Sequence, residues 1–205
     1  MEGRVNKPAY LPYTGELPAQ MPLAPPSLVR CVFGRLLRLC GWKLVGQFPD
    51  IPKLVFVAAP HSSWWDGVWG LMFKVAVGLN ASFMAKRELF RGPLGWLLRR
   101  LGGIPIERSA AHGVVEQMVD RFARSDRLWL GIAAEGTRKA VTKWKSGFWQ
   151  IAHEAGVPVM TVYFHYPEKT IGIGPVFELT DDRDADIARI REFYRPWQGR
   201  NRGAF

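Results

Sequence analysis

The chain has 205 residues, room for one domain with a short appendage, and a domain of that size buries most of its unfolded surface without metal or disulfide staples. Its 28 lysines and arginines outnumber 18 acids, and residues 1–100, with 13 basic and 5 acidic side chains, hold +8 of the formal +10. With nine Trp and 12 Phe beside that charge, the candidate partners are anionic lipid headgroups or nucleic acid. No uncharged apolar run approaches the roughly 18–20 residues of a membrane-spanning helix.

Taken in chain order, residues 1–26 lack a signal-peptide pattern: two acids and repeated prolines stand where an apolar stretch should be. They read as an extended, loosely ordered arm. Residues 27–45 change to SLVRCVFGRLLRLCGWKLV, in which Arg30, Gly34, Arg35, Arg38 and Gly41 share one arc of a helical wheel. Val29, Val32, Phe33, Leu36, Leu37 and Cys40 lie outside it. Such a basic amphipathic helix either lies in a membrane interface or packs on its own domain, and both readings stand. Cys31 and Cys40 show no CxxC spacing, so they argue for neither zinc nor a redox motif and suit a reducing compartment.

Residues 46–205 alternate short apolar runs with longer amphipathic ones, an α/β rhythm that predicts a mixed, largely parallel central sheet flanked by helices. Strands are expected near 54–59, 82–85, 104–106, 128–133, 157–164 and 171–177. Helices are expected over 64–77, 88–101, 113–125, 147–155 and 182–194. The segment RELFRGPLGWLLRRLGG, residues 87–103, repeats the basic-and-apolar chemistry of the first helix, and the chain from Arg195 reads as surface.

One stretch raises a chemical question: LVFVAAPHSSWWDG, residues 54–67. Residues five apart on a regular helix do not share a face, so His61 and Asp66 can meet only if the histidine stands outside the helix. Pro60 ending a strand and Ser62 or Ser63 capping a helix from Trp64 would arrange this. The carboxylate would then fix the imidazole tautomer and leave the other nitrogen to act as a general base. The competing reading is equally specific: with Ser63 as N-cap, Asp66 falls at the third helical position and simply completes a capping box. No G-x-S-x-G elbow supports a serine nucleophile, and His112, His153 and His165 have no metal-binding spacing, so no metal is expected.

Three later stretches, MAKREL, GGIPIERS and AAEGTRKAVTKWKSG, each place a cation at or just beyond a predicted strand end. Ligands of α/β sheets bind at that edge. Lys86, Arg108 and Arg138 can converge there on an anion, with the Gly136-Thr137 backbone close by.

The order of these motifs resembles the glycerolipid acyltransferase family, of the lysophosphatidic acid acyltransferase type. His61 and Asp66 match its H-x4-D motif, and Gly102 to Arg108 its second block, with Glu107 before the arginine. Residues 133–139, AAEGTRK, match the block usually written F-P-E-G-T-R-S, and 157–162, VPVMTV, the apolar fourth block. Ala134, Lys139 and Thr161 depart from the pattern and leave the acceptor open. The resemblance, spanning about residues 40–180, implies the glycerolipid acyltransferase fold. It also implies transfer of a fatty acyl group from acyl-CoA or acyl-carrier protein to a glycerol hydroxyl, typically of the lysophospholipid 1-acylglycerol-3-phosphate. His61 would be the base and Asp66 its partner; Lys86, Arg108 and Arg138 would hold the phosphate, with Glu135, Gly136 and Thr137 shaping the loop. No cofactor is implied. Trp64, Trp65, Trp69, Met72 and Phe73 are candidates for lining an acyl channel. The expected location is peripheral, against an anionic membrane on the cytoplasmic face, that of a bacterial inner membrane, with no nucleic acid bound. A different acceptor (an amino-acid lipid, a glycolipid or a pigment precursor) or a non-catalytic basic membrane-surface protein are the alternatives.

Overall fold

The computed structural model describes residues 11, 13, 15–107 and 111–203. Helix α1 (Leu28–Leu39) precedes β1 (Lys43–Val45), β2 (Lys53–Ala59), α2 (Trp64–Val77), β3 (Ser82–Lys86), α3 (Gly92–Arg100), β4 (Gly103–Ile106) and α4 (Ala111–Ala123). Then follow β5 (Leu128–Ile132), α5 (Gly147–Glu154), β6 (Val159–His165), β7 (Thr170–Phe177) and α6 (Arg183–Phe193). Two elements differ from the sequence reading. The expected first helix stops at Leu39, Gly41 turns with φ 76°, and the chain re-enters as β1. The helix expected over 88–101 divides into a 3-10 turn, Arg87–Phe90, and α3, because Gly92 at φ 57° and Pro93 restart the chain.

The sheet order is β1-β7-β6-β2-β5-β3-β4, largely parallel as expected. Neighbours β6, β2, β5, β3 and β4 all run parallel. The reversal falls at β6–β7, where only four residues join His165 to Thr170; a connection that short permits only an antiparallel pair. The carboxyl ends of five adjacent strands therefore lie along one edge of the sheet.

Both faces are covered, which is why β2 and β6 read as near-continuous apolar runs. Alternate residues of β2 serve different layers. Val55, Val57 and Ala59 pack with Met118, Phe122, Phe148 and Tyr194, from the α4, α5 and α6 side. Leu54 joins Leu37, Trp42, Phe73 and Trp129 on the α1 and α2 side.

That second layer also bears on the beginning of the chain. The described part of the arm is not loose: Leu11, Tyr13, Leu17 and Met21 are buried in that layer. Helix α1 turns Arg30, Gly34 and Leu37 inward and leaves Leu28, Val29, Val32, Leu36 and Leu39 exposed, so part of the basic arc faces the domain and much of the apolar face does not. Arg30 accounts for the inversion, because its guanidinium donates to Ala24 O at 3.0 Å and to Val77 O in the last turn of α2. Carbonyls there lack helical partners and carry the negative end of the helix dipole.

Candidate active site

Strand β2 ends at Ala59, and the loop Pro60-His61-Ser62 leads to Ser63, the N-cap of α2 in extended conformation. Asp66 lies in the first turn with its side chain 1% exposed, and its Oδ2 accepts the backbone N–H groups of Ser62 at 2.7 Å and Ser63 at 2.8 Å. The capping box is formed. The same oxygen lies 3.4 Å from Nδ1 of His61, which stands outside the helix. Capping and pairing are thus not alternatives: one carboxylate does both. A separation of 3.4 Å is longer than a well-formed hydrogen bond, and the contact strengthens when the ring gains a proton and positive charge.

The other carboxylate oxygen, Oδ1, accepts from the hydroxyl of Tyr166 at 2.6 Å. Sequence reading overlooked Tyr166, yet a signal existed: it directly follows β6, whose end shares the edge with β2. Burial, then the hydrogen bond to Asp66, push its phenol pKa well upward, so it remains a donor. An aromatic ladder backs the site, with Trp64 stacked on Trp65 at 4.3 Å, Trp65 on Trp69 at 5.7 Å, and Trp42 touching both Trp69 and Tyr166. Of the proposed acyl-channel residues, Trp64 is exposed whereas Phe73 is plain core.

Glu135 follows β5, the neighbour of β2, and is buried. Its Oε1 accepts the backbone N–H of His61 at 2.8 Å, and its Oε2 takes Nη2 of Arg202. Burial raises its carboxyl pKa, opposed by those two hydrogen bonds. Gly136 turns at φ 64°, where a Cβ would come within 3.2 Å of Lys145 Cγ. Thr137 Oγ1 accepts the Lys139 N–H at 3.3 Å. Arg138 and Lys139 extend exposed side chains from this loop, and an open groove of about 650 Å³ runs past Gly136, Thr137, Thr142, Lys143 and Lys145.

Lys86 ends β3 on the same edge with an exposed side chain. Arg108, the remaining cation of the expected anion site, lies outside the described residues. Of the departures from the family pattern, Ala134 and Thr161 are fully buried, and only Lys139 belongs to the exposed loop. The chain after α6 is not mere surface, for Trp197 stacks on Tyr163 at 3.7 Å and Asn201 bonds Ser62. Among the described residues, no cluster of three or more His, Cys, Asp or Glu is placed to hold a metal, and no helix is long and apolar enough to cross a membrane.

The family model described as "Acyltransferase" matches residues 47–165, more than half of the chain and the whole stretch from the approach to β2 to the end of β6. The chain belongs to the acyltransferase family. The fold of this acyltransferase is similar to the crystal structure of the 1-acyl-sn-glycerophosphate (LPA) acyltransferase PlsC from Thermotoga maritima. The TM-score is 0.53 at 17% identity, over 84% of this chain and 80% of that one. No curated protein matches it. The H-x4-D pair of this acyltransferase sits at the carboxyl edge of the parallel strands, with the Glu135–Arg138 loop on the adjacent strand end.

Proposed function

We propose that this acyltransferase moves a fatty acyl group from acyl-CoA or acyl-carrier protein to a glycerol hydroxyl of a lysophospholipid, first of all 1-acylglycerol-3-phosphate. The observation that carries the reading is the contact of His61 Nδ1 with the buried Asp66 carboxylate, beside a strand edge bearing Lys86 and Arg138. With Nδ1–H turned to Asp66, Nε2 is the basic nitrogen. It takes the acceptor's hydroxyl proton as the oxygen attacks the thioester carbonyl. The C–O bond forms, the tetrahedral adduct collapses with loss of the C–S bond, and the imidazolium returns its proton to the departing sulfur. Lys86, Arg108 and Arg138 hold the acceptor's phosphate, and positioning two substrates in this way supplies several kcal/mol of the barrier.

The substrate is a lipid, and two exposed apolar faces suit a membrane surface. Leu28 and Leu39 of α1 are 85% and 83% exposed beside Arg35 and Arg38, and Leu94, Trp96 and Leu97 of α3 are exposed beside Arg99 and Arg100. We place the enzyme peripherally on the cytoplasmic face, where the free thiols Cys31 and Cys40 stay reduced. The test is mass spectrometry of products after incubation with mixed lysolipids and either acyl-CoA or acyl-carrier protein. A new diacylated phosphatidate is expected; acylation of only unphosphorylated acceptors would overturn the phosphate reading.

A further inference from the structure

Beyond α6 the chain folds back over the loop that carries His61. Gly199 N–H donates to Arg202 O at 2.9 Å, closing a turn. A Cβ on Gly199 would fall 2.6 Å from Ser62 Oγ, so the turn rests directly on the loop. Asn201 pins it there, donating its N–H to Ser62 Oγ at 3.2 Å and its side-chain amide to Ser62 O at 2.8 Å.

The turn delivers the guanidinium of Arg202 to this loop. Nη2 of Arg202 meets Glu135 Oε2, the carbonyl of His61 at 3.3 Å and that of Lys139 at 2.8 Å, while Nε reaches the carbonyl of Arg138 at 3.4 Å. Glu135 in turn holds the His61 N–H. The backbone of His61 is therefore gripped on both sides, by the acid at its N–H and by the arginine at its carbonyl, and those two are ion-paired with each other. The Glu135 side chain is 0% exposed and that of Arg202 15%, so the buried carboxylate has no water to replace the guanidinium.

Resting on the acyl-transfer reading above, we propose that Arg202 is a positioning residue for that reaction, a clamp fixing the loop of the base, His61, to the loop of the anion-holding Arg138. It touches no reacting atom. A point-charge ammonium cannot replace it, because the contacts to the two loops come from two nitrogens, Nη2 and Nε, held in one rigid plane.

The test uses full-length Arg202→Ala and Arg202→Lys, assayed for acyl transfer, thermal melting and backbone hydrogen exchange in peptides covering 59–66 and 134–140. Arg202→Ala should lower kcat by about 10- to 100-fold well below its melting temperature. It should also raise acceptor KM and speed exchange in both peptides together, and millimolar ethylguanidinium should restore part of the rate. Arg202→Lys should recover little. A lower melting temperature with wild-type kcat and exchange would overturn the proposal, and if Arg202→Ala does not fold, Arg202→Lys at wild-type kcat would do the same. Should the wild type acylate no lysolipid, the functional reading fails, while the clamp still stands or falls on the exchange data.

Discussion

Replacing Asp66 by asparagine separates the two duties of this carboxylate. An asparagine with its amide oxygen toward Ser62, Ser63 and Nδ1 of His61 keeps the cap, and its NH2 can donate to the Tyr166 oxygen. What is lost is the negative charge and the acceptor of the Tyr166 O–H. A unit charge 3.4 Å from the imidazolium is worth ~1 kcal/mol in water and ~5 kcal/mol at the effective dielectric of a partly buried pair, so turnover should fall about tenfold to a few thousand-fold. Stability should change by no more than about 1 kcal/mol. Asp66→Ala, in contrast, strands three donors and should cost roughly 3 kcal/mol, about 6–12 °C in melting temperature for a domain of this size. His61→Ala should lower turnover by roughly 10²- to 10⁴-fold with little effect on melting. The double variant should be hardly worse than the worse single one, since paired residues act as a unit. The assay is acyl-transfer rate against melting for each variant. If Asp66→Asn transfers acyl groups at nearly the wild-type rate while Asp66→Ala only melts earlier, Asp66 is a helix cap and the base–carboxylate pair is wrong.

Tyr166→Phe removes the 2.6 Å donor to Asp66 and should lower kcat several-fold, as expected for one charge-assisted hydrogen bond. Because the folded protein holds the Tyr166 phenol pKa above its ordinary value of about 10, the unfolded chain ionises first, and stability falls as pH rises beyond that point. Tyr166→Phe should therefore show a shallower alkaline loss of melting temperature, and an unchanged slope would refute the assignment. Arg138→Ala should raise KM for lysophosphatidate more than for the acyl donor, and a wild type equally active on the unphosphorylated monoacylglycerol would exclude phosphate recognition. Leu28→Glu combined with Leu39→Glu should weaken sedimentation with phosphatidylglycerol vesicles without lowering the melting temperature, since both side chains are exposed. Undiminished binding would move the membrane contact elsewhere. Deleting residues 1–45 is a poor probe, because Leu11, Met21 and Leu37 belong to the core.

What could be read from sequence follows how local the cause is. The extent of α2, expected over 64–77, matches because Ser63, Asp66 and the αL Gly78 mark both ends within the segment itself. Strand β1 was missed: three residues become a strand only by pairing with Thr170–Gly172, far along the chain. His61, Asp66 and Glu135 were legible as motif residues, and the parallel order then brings their loops together. Arg202 carried no comparable signal, for its partners lie 67 and 141 residues away and its neighbours resemble ordinary surface. The inward turn of Arg30 was not legible either, because a helical wheel sorts residues by angle and says nothing about which side meets the domain.

The contact of Arg30 with the end of α2 has a mechanical meaning. Its guanidinium fastens α1 to the last turn of α2, while Asp66 occupies the first turn of the same helix, a rod of 14 residues and about 21 Å. The helix that offers its leucines outward and the residues around His61 are thus two ends of one stiff lever. On the proposed membrane reading, an outer helix settled into a lipid surface would set the depth and tilt of the active-site mouth with it, and a lysolipid acceptor would enter at a fixed height.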